Sequence, residues 1–181
     1  MSEAKEIKEM LEQSNWIERE YSDRALKDAV KAWDWIYAHR NEDLKLKHVL
    51  RIHELLARNI RPDIAGKLRN CDVWIGGQCK RFISDYLLRR EVDEFCKDYW
   101  RICSLKKQKT LEELQEMVKQ NHIKFENIHV FVDFNGRSGR LLMNMLRIKC
   151  GLSILVIHGW ALGDEDFHFE QDCYYSWFRN N

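Results

Sequence analysis

Proline and glycine are scarce in this chain. One proline, Pro62, and eight glycines occur in 181 residues. So few breakers favour long helices over a many-turned β fold. No two of the six cysteines, at 71, 79, 96, 103, 150 and 173, form a Cys-x-x-Cys pair. A disulfide framework does not suit a chain with this much core, so all six read as reduced, mostly packing residues. Neither charge sign dominates: thirty basic residues face twenty-nine acidic ones, for a net charge of +1. No basic block stands out beyond Arg89-Arg90 and Lys106-Lys107, so solvated helix faces are expected and a nucleic-acid partner is not. Bulk charge cannot see a local basic pocket for phosphates. No apolar run approaches membrane-spanning length, and the opening MSEAKEIKEM is charged and has no secretory signal. The expectation is no membrane partner and a cytoplasmic location, the cytoplasm of a host included.

What is present is globular. Hydrophobic residues make up 45%, with 7 Trp, 6 Tyr and 8 Phe, enough for one domain over residues 1–181 with its own core. Ile7, Met10 and Leu11 form a short apolar stripe on a helix expected over about 3–16. Leu26, Ala29, Val30, Trp33 and Tyr37 continue at helical spacing behind Asp23, a suitable N-cap. Leu46, Val49, Leu50, His53 and Leu56 repeat the period up to Pro62. Val73-Trp74-Ile75 is β-prone and runs into Gly76-Gly77, which reads as a hairpin or extended loop. Helical spacing resumes from Phe82, Ile83, Tyr86 and Leu87, and again from Leu111. A further apolar face, Leu141 to Ile148, ends at Gly151 as C-cap. An acidic start at Asp164 opens a last helical segment, 164–178. The fold class is mainly α with one small β element and no internal repeat. His158 and His168 lack compact spacing for zinc, and the tryptophans mostly fit helix faces.

Chemistry concentrates between Ile128 and Arg140. His129 titrates near neutral pH and is a candidate general base. Asp133 offers a hard oxygen suited to magnesium. Gly136 sits where a helical period begins, so backbone N–H groups and the helix dipole could cradle a phosphate there. Arg137 and Arg140, three apart, can face one anion from the same helix end. Each feature alone has a bland reading: a packed histidine, an Asx turn, two solvated arginines. Their coincidence in twelve residues points to phosphoryl chemistry.

The stretch resembles the Fic signature, His-x-Phe-x-(Asp/Glu)-Gly-Asn-Gly-Arg-x-x-Arg. His129, Phe131, Asp133, Asn135, Gly136, Arg137 and Arg140 match, seven of eight fixed positions. HIKFENI before it and Leu141-Leu-Met-Asn after it are similar to the family too. The resemblance implies a single-domain helical Fic bundle with residues 128–150 as catalytic loop and helix. It implies a protein adenylyltransferase that moves AMP from ATP to a Ser, Thr or Tyr hydroxyl of a protein substrate. His129 would deprotonate that hydroxyl and Asp133 would hold Mg2+. Asn135, the amides around Gly136, and Gly139 would cradle the phosphates. Arg137 would steady the leaving group and Arg140 would bind the γ-phosphate, while Phe131 packs. Val73, Trp74, Ile75 and Gly76 resemble the family's flap, which would add the target segment as a strand.

Ser14-Asn-Trp-Ile-Glu18-Arg19 resembles the family's inhibitory motif, (Ser/Thr)-x-x-x-Glu-(Gly/Asn), so residues 3–20 are the candidate inhibitory helix. Glu18, paired with Arg140, would take the guanidinium that the γ-phosphate needs. The sequence departs from the family at Val130, where proline is usual, at Arg19, and at Phe134, where the family has glycine. If position 134 needs a positive φ, phenylalanine costs roughly 1–2 kcal/mol there. Alternatives in view are a de-adenylylating hydrolase using Glu18 and His129, a binding module silenced by Phe134, and transfer of another nucleotide or phosphate-containing group. Homodimerisation is left open.

Overall fold

The computed structural model describes residues 3–75, 78–159 and 168–178. Where the apolar spacing predicts helices, helices form, and their ends follow the capping chemistry. α1 spans Glu3–Ile17 and buries Met10, Leu11 and Ile17. α2 spans Asp23–Ala38. Its N-cap is Ser22 rather than Asp23, because the Ser22 hydroxyl accepts from the Ala25 N–H at 3.2 Å. Asp23 falls inside the first turn, where its charge suits the helix dipole. α3 spans Leu46–Ala57. It ends five residues short of Pro62, and the chain between continues as turns, with the Arg61 N–H donating to the Ala57 carbonyl.

β1 (Val73–Ile75) and β2 (Gln78–Lys80) pair antiparallel, with Val73 opposite Lys80 and Trp74 opposite Cys79. Gly76 and Gly77, the expected tip, lie outside the described residues, as does the acidic stretch 164–167. Phe82 and Ile83 do not start a helix. The Phe82 N–H donates to Asp72 Oδ1 at 2.7 Å and closes the base of the hairpin. Ser84 then caps α4, Asp85–Leu105, by accepting from the Leu87 N–H. α5, Leu111–Ile128, opens on a reciprocal capping box between Thr110 and Glu113. α6 spans Asn135–Lys149 and α7 spans His168–Ser176. Gly151 takes φ +79° just past the end of α6, the position glycine occupies best.

α6 is the central helix and packs against α1 to α5. It is buried almost all round, through Leu141, Leu142, Met145 and Leu146. That burial fixes its N-terminus in space, and the signature stretch 129–134 is the short link from α5 into it. Phe131 anchors the link: it is fully buried and stacks on His53 with ring centroids 3.8 Å apart. The six cysteines are free thiols, as expected. Three of them, Cys71, Cys79 and Cys173, are exposed rather than packed. Among the described residues no helix is long and apolar enough to cross a membrane.

Removing the Phe131 ring should leave a cavity under the α5–α6 link. Phe131→Ala is expected to cost about 3–5 kcal/mol in urea unfolding, without changing the slope of the transition.

Candidate functional site

The α5–α6 link turns sharply twice. His129 closes α5 in the left-handed region (φ +49°), and Phe134 precedes α6 with φ +62°. Between them the side-chain amide of Asn135 grips the Phe131 backbone at both ends. Its Oδ1 accepts from the Phe131 N–H at 3.0 Å and its Nδ2 donates to the Phe131 carbonyl at 2.9 Å. Asn135 was expected to hold phosphate; its polar groups instead shape the loop. His53 supports the same loop from α3. Its Nδ1 accepts from the Gly66 N–H, so its Nε2 carries the hydrogen and donates to the Asp133 carbonyl at 3.1 Å. Burial pushes His53 down to about 4, so it is neutral.

The His129 ring sits with Nδ1 3.2 Å from the Glu126 carbonyl. A carbonyl only accepts, so Nδ1 carries the hydrogen and Nε2 is left with its lone pair. Burial holds the imidazole below its ordinary pKa; Arg69 and Lys80 push the same way, while the Glu126 carbonyl and Glu18 oppose. A neutral imidazole with a free Nε2 is the form a general base needs.

Glu18, at the end of α1, reaches this mouth. Its Oε1 lies 2.7 Å from Arg140 Nη2. Arg140 is held on every side: Nε donates to Ser14 Oγ and Nη2 to the Ser14 carbonyl, each at 2.9 Å, and Nη1 lies 3.5 Å from the Tyr174 hydroxyl. Burial opposes the charge of Arg140, but Tyr174 and Glu18 outweigh it and keep the guanidinium protonated. Burial likewise opposes ionisation of Glu18, and Arg140, Arg137 and His129 overcome it. The Glu18 side chain is still 35% exposed, so this ion pair is partly screened. Gly136 makes the approach possible. A Cβ there would meet Glu18 Oε1 at 2.6 Å and Arg140 Nη1 at 2.8 Å.

Other expected residues take different places. Gly139 faces α5, where a Cβ would run into the Glu126 carboxyl and the His122 ring, so it serves close helix packing. Arg137 lies over the Phe134 ring at 3.4 Å, with Nη2 3.7 Å from Asp133 Oδ1. The Phe134 ring is buried, 3% exposed, and meets His53 edge-on. Asp133 is half exposed, with Oδ1 accepting from the Phe134 N–H. Among the described residues no group of three or more His, Cys, Asp or Glu could hold a metal, so any ion at Asp133 would take its other ligands from water and substrate. On the hairpin Val73 is buried and Trp74 is 69% exposed. A groove of about 540 Å3, lined by Arg69, Lys80, Ile83, Ile123 and Asn127 among others, runs beside it.

A family model described as Fic/DOC matches residues 43–146, more than half of the chain. The chain belongs to the Fic/DOC family. A protein of Aedes aegypti named protein adenylyltransferase Fic is 28% identical over 130 residues, 71% of this chain and 24% of that protein. Its Drosophila melanogaster namesake is 30% identical over 115 residues, 64% of this chain and 22% of that protein. The chain thus spans about a quarter of the length of these curated relatives. Among solved structures, a Fic-domain signalling protein of Bacteroides thetaiotaomicron aligns with a TM-score of 0.72 at 18% identity, over 96% of this chain and 72% of that one. Fic-1 of C. elegans aligns at 0.61 and 17%, over 85% and 42%. These two likenesses carry the fold alone.

Within this Fic fold, several residues around the site were not singled out by sequence reading: Arg69, His122, Glu126 and Tyr174. Each acts on a group far away in sequence. His122 Nε2 meets the Tyr174 hydroxyl at 2.9 Å beside Arg140. Burial, with Arg140, holds His122 down at about 3. Glu126 is partly buried, with its Oε1 enclosed and unpartnered, and burial raises it to about 8 against the pull of Arg140.

Two outcomes follow from this geometry. A carboxyl at about 8 in the folded state, against roughly 4.3 unfolded, makes the folded chain bind the extra proton, so its contribution declines as pH rises between those values. Glu126→Gln should flatten the fall of melting temperature across that window. Phe134→Gly should relieve roughly 1–2 kcal/mol of backbone strain but lose burial of the ring, worth about 3–5 kcal/mol when removed. The net expected in denaturant unfolding is a destabilisation of about 1–4 kcal/mol.

Proposed function

We propose that this chain is a magnesium-dependent protein adenylyltransferase held inactive by Glu18. One observation carries the reading. A carboxylate already lies at the mouth of α6, against Gly136 and on Arg140, so the mouth attracts an anion and that anion is the chain's own. The names of the curated relatives and the signature residues support the same activity.

The chemistry follows from the residues. His129 Nε2 takes the proton of a Ser, Thr or Tyr hydroxyl on the protein substrate. The oxygen attacks the α-phosphorus of ATP, a new P–O bond forms to the target, the α–β bridging bond breaks, and pyrophosphate leaves. Asp133 would hold a magnesium ion, which supplies neutralisation of phosphate charge; its half-exposed single carboxylate suits an ion that keeps waters and takes phosphate oxygens. The first N–H groups of α6 lack intrahelical partners and face the phosphates with the positive end of the helix. Arg137, laid on Phe134, steadies the leaving group. Arg140 binds the γ-phosphate only when Glu18 lets go. The flap strand edge beside Trp74 orders the target segment.

Phe134 does not argue for a silent site, since its ring is in the core beneath Arg137. The nearness of Glu18 to His129 favours a second reading, removal of AMP by a water that Glu18 orients.

Mass spectrometry after incubation with ATP and magnesium separates these. Glu18→Gly should raise AMP addition to the chain itself by roughly tenfold or more, and adding His129→Ala should cut it by about 10²–10⁴-fold. The rate should rise with pH through a value below the ordinary 6.5 of histidine, because the base must be neutral and its pKa is depressed. If His129→Ala matches its parent, the mechanism is wrong. If Glu18→Gly instead blocks loss of AMP from a modified protein, removal is the activity.

A further inference from the structure

Among the described residues Arg69 is the most buried large cation, 1% exposed, and it takes no direct part in the chemistry above. Its guanidinium makes no salt bridge to a carboxylate within 4 Å among the described residues. All three of its nitrogens donate to backbone carbonyls. Nε reaches the His129 carbonyl at 2.8 Å, Nη1 the Cys71 carbonyl at 2.9 Å and Nη2 the Arg81 carbonyl at 3.1 Å. Its own N–H donates to the Val130 carbonyl at 2.9 Å. Burying a charge on neutral acceptors is costly, and burial accordingly pushes Arg69 below the ordinary arginine value. The acceptors show what the arrangement does. Cys71 and Arg81 stand just before β1 and just after β2, the two feet of the hairpin. His129 carries the base.

We propose that Arg69 is a positioning residue that couples the flap to His129. This rests on the transferase reading, in which a target segment pairs with the flap and gives its proton to Nε2 of His129. The flap sets where the hydroxyl lies and the α5–α6 link sets where the imidazole lies. The Arg69 fork is the element that touches both, and it fixes the distance between them. The planar guanidinium can span three carbonyls in divergent directions; a lysine ammonium on the same stem cannot. His129 needs such a hold, because its backbone is in the left-handed region, with its N–H on Phe125, its ring on Glu126 and its carbonyl on Arg69. A displacement of about 1 Å between reacting groups costs on the order of 10²-fold in rate. The nucleotide contacts Gly136, Arg137 and Arg140 lie on α6, and none of the Arg69 hydrogen bonds reaches α6.

The experiment compares Arg69→Lys with its parent, both carrying Glu18→Gly, using ATP and magnesium and reading AMP added to the chain. The expected result is a split: kcat falls about tenfold or more while KM for ATP stays within about twofold. Amide exchange should accelerate in 72–82 and 129–131 and nowhere else. An unchanged kcat overturns the proposal. So does a fall in kcat with exchange accelerated throughout the chain, the mark of a merely structural role. A measurement that needs no variant guards against misfolding: in the unsubstituted chain the amides of the hairpin and of 129–131 should open together as denaturant rises, and separate openings overturn the coupling. If Glu18→Gly transfers no nucleotide at all, the transferase reading fails, and the exchange measurement still decides the coupling.

Discussion

The guanidinium of Arg140 is the point on which the site is organised. It projects from the first turns of a helix that is buried almost all round, so its position is set by the core and not by its own flexibility. A buried cation must be matched, and the match comes from both termini. α1 supplies the Ser14 hydroxyl, the Ser14 carbonyl and the Glu18 carboxylate; α7 supplies the Tyr174 hydroxyl. Ends of the chain separated by more than a hundred residues thus meet on one charge. An anion that displaced Glu18 would meet a cation already desolvated and oriented, and such preorganisation is what makes an electrostatic site effective. In the proposed reading, the grip that would silence the site and the geometry that would serve it are therefore the same. α1 is not loosely laid on: the Gly159 N–H donates to Gln13 Oε1, and Gly159 passes so close that a Cβ would strike the Ile17 backbone.

A second layer keeps the link between α5 and α6 in shape. Asn135 clamps Phe131, His53 stacks on Phe131 and donates to the Asp133 carbonyl, and Arg69 holds the His129 carbonyl. These groups present few polar atoms to a substrate. They satisfy the backbone of a loop that would otherwise carry unpaired groups into the core. The loop is rigid for the same reason a helix is rigid, except that side chains from α3, from α6 and from the segment before the hairpin replace the helical ladder.

Much of this was legible in the sequence. The helices declared themselves by apolar spacing, the hairpin by Val73-Trp74-Ile75 with glycines behind it, and the candidate site by a histidine, a carboxylate, a glycine and two arginines in one short run. The helix starts were legible only to within a residue or three. Ser22 and Ser84 won as caps because a hydroxyl reached the right N–H, which spacing does not reveal. Less legible were roles set by partners distant along the chain. Nothing near position 69 says that one of its acceptors, the His129 carbonyl, is sixty residues away, and nothing near 174 points to Arg140. Gly139 illustrates the converse. It stands in the signature and invites a phosphate, yet the missing Cβ makes room for Glu126 and His122.

The departures from the family pattern carry a further lesson. Among the described residues three non-glycine residues have positive φ: Arg19, His129 and Phe134. They terminate α1, terminate α5 and precede α6, so all three corners of the mouth are turned in the left-handed region. Two of them stand where the family pattern has glycine or asparagine. Each costs roughly 1–2 kcal/mol of backbone strain relative to glycine. The chain adopts these turns without glycine, which means packing and not local preference dictates the backbone there. At Phe134 the offset is visible, since its ring is buried against His53 and carries Arg137. At Arg19 no comparable burial exists; the turn is held by the Glu18 and Glu20 N–H groups on the Asn15 carbonyl and the Arg19 N–H on Trp16. The strain at Arg19 thus sits directly beside the carboxylate that pairs with Arg140, so the same turn that costs backbone energy places Glu18 at the mouth.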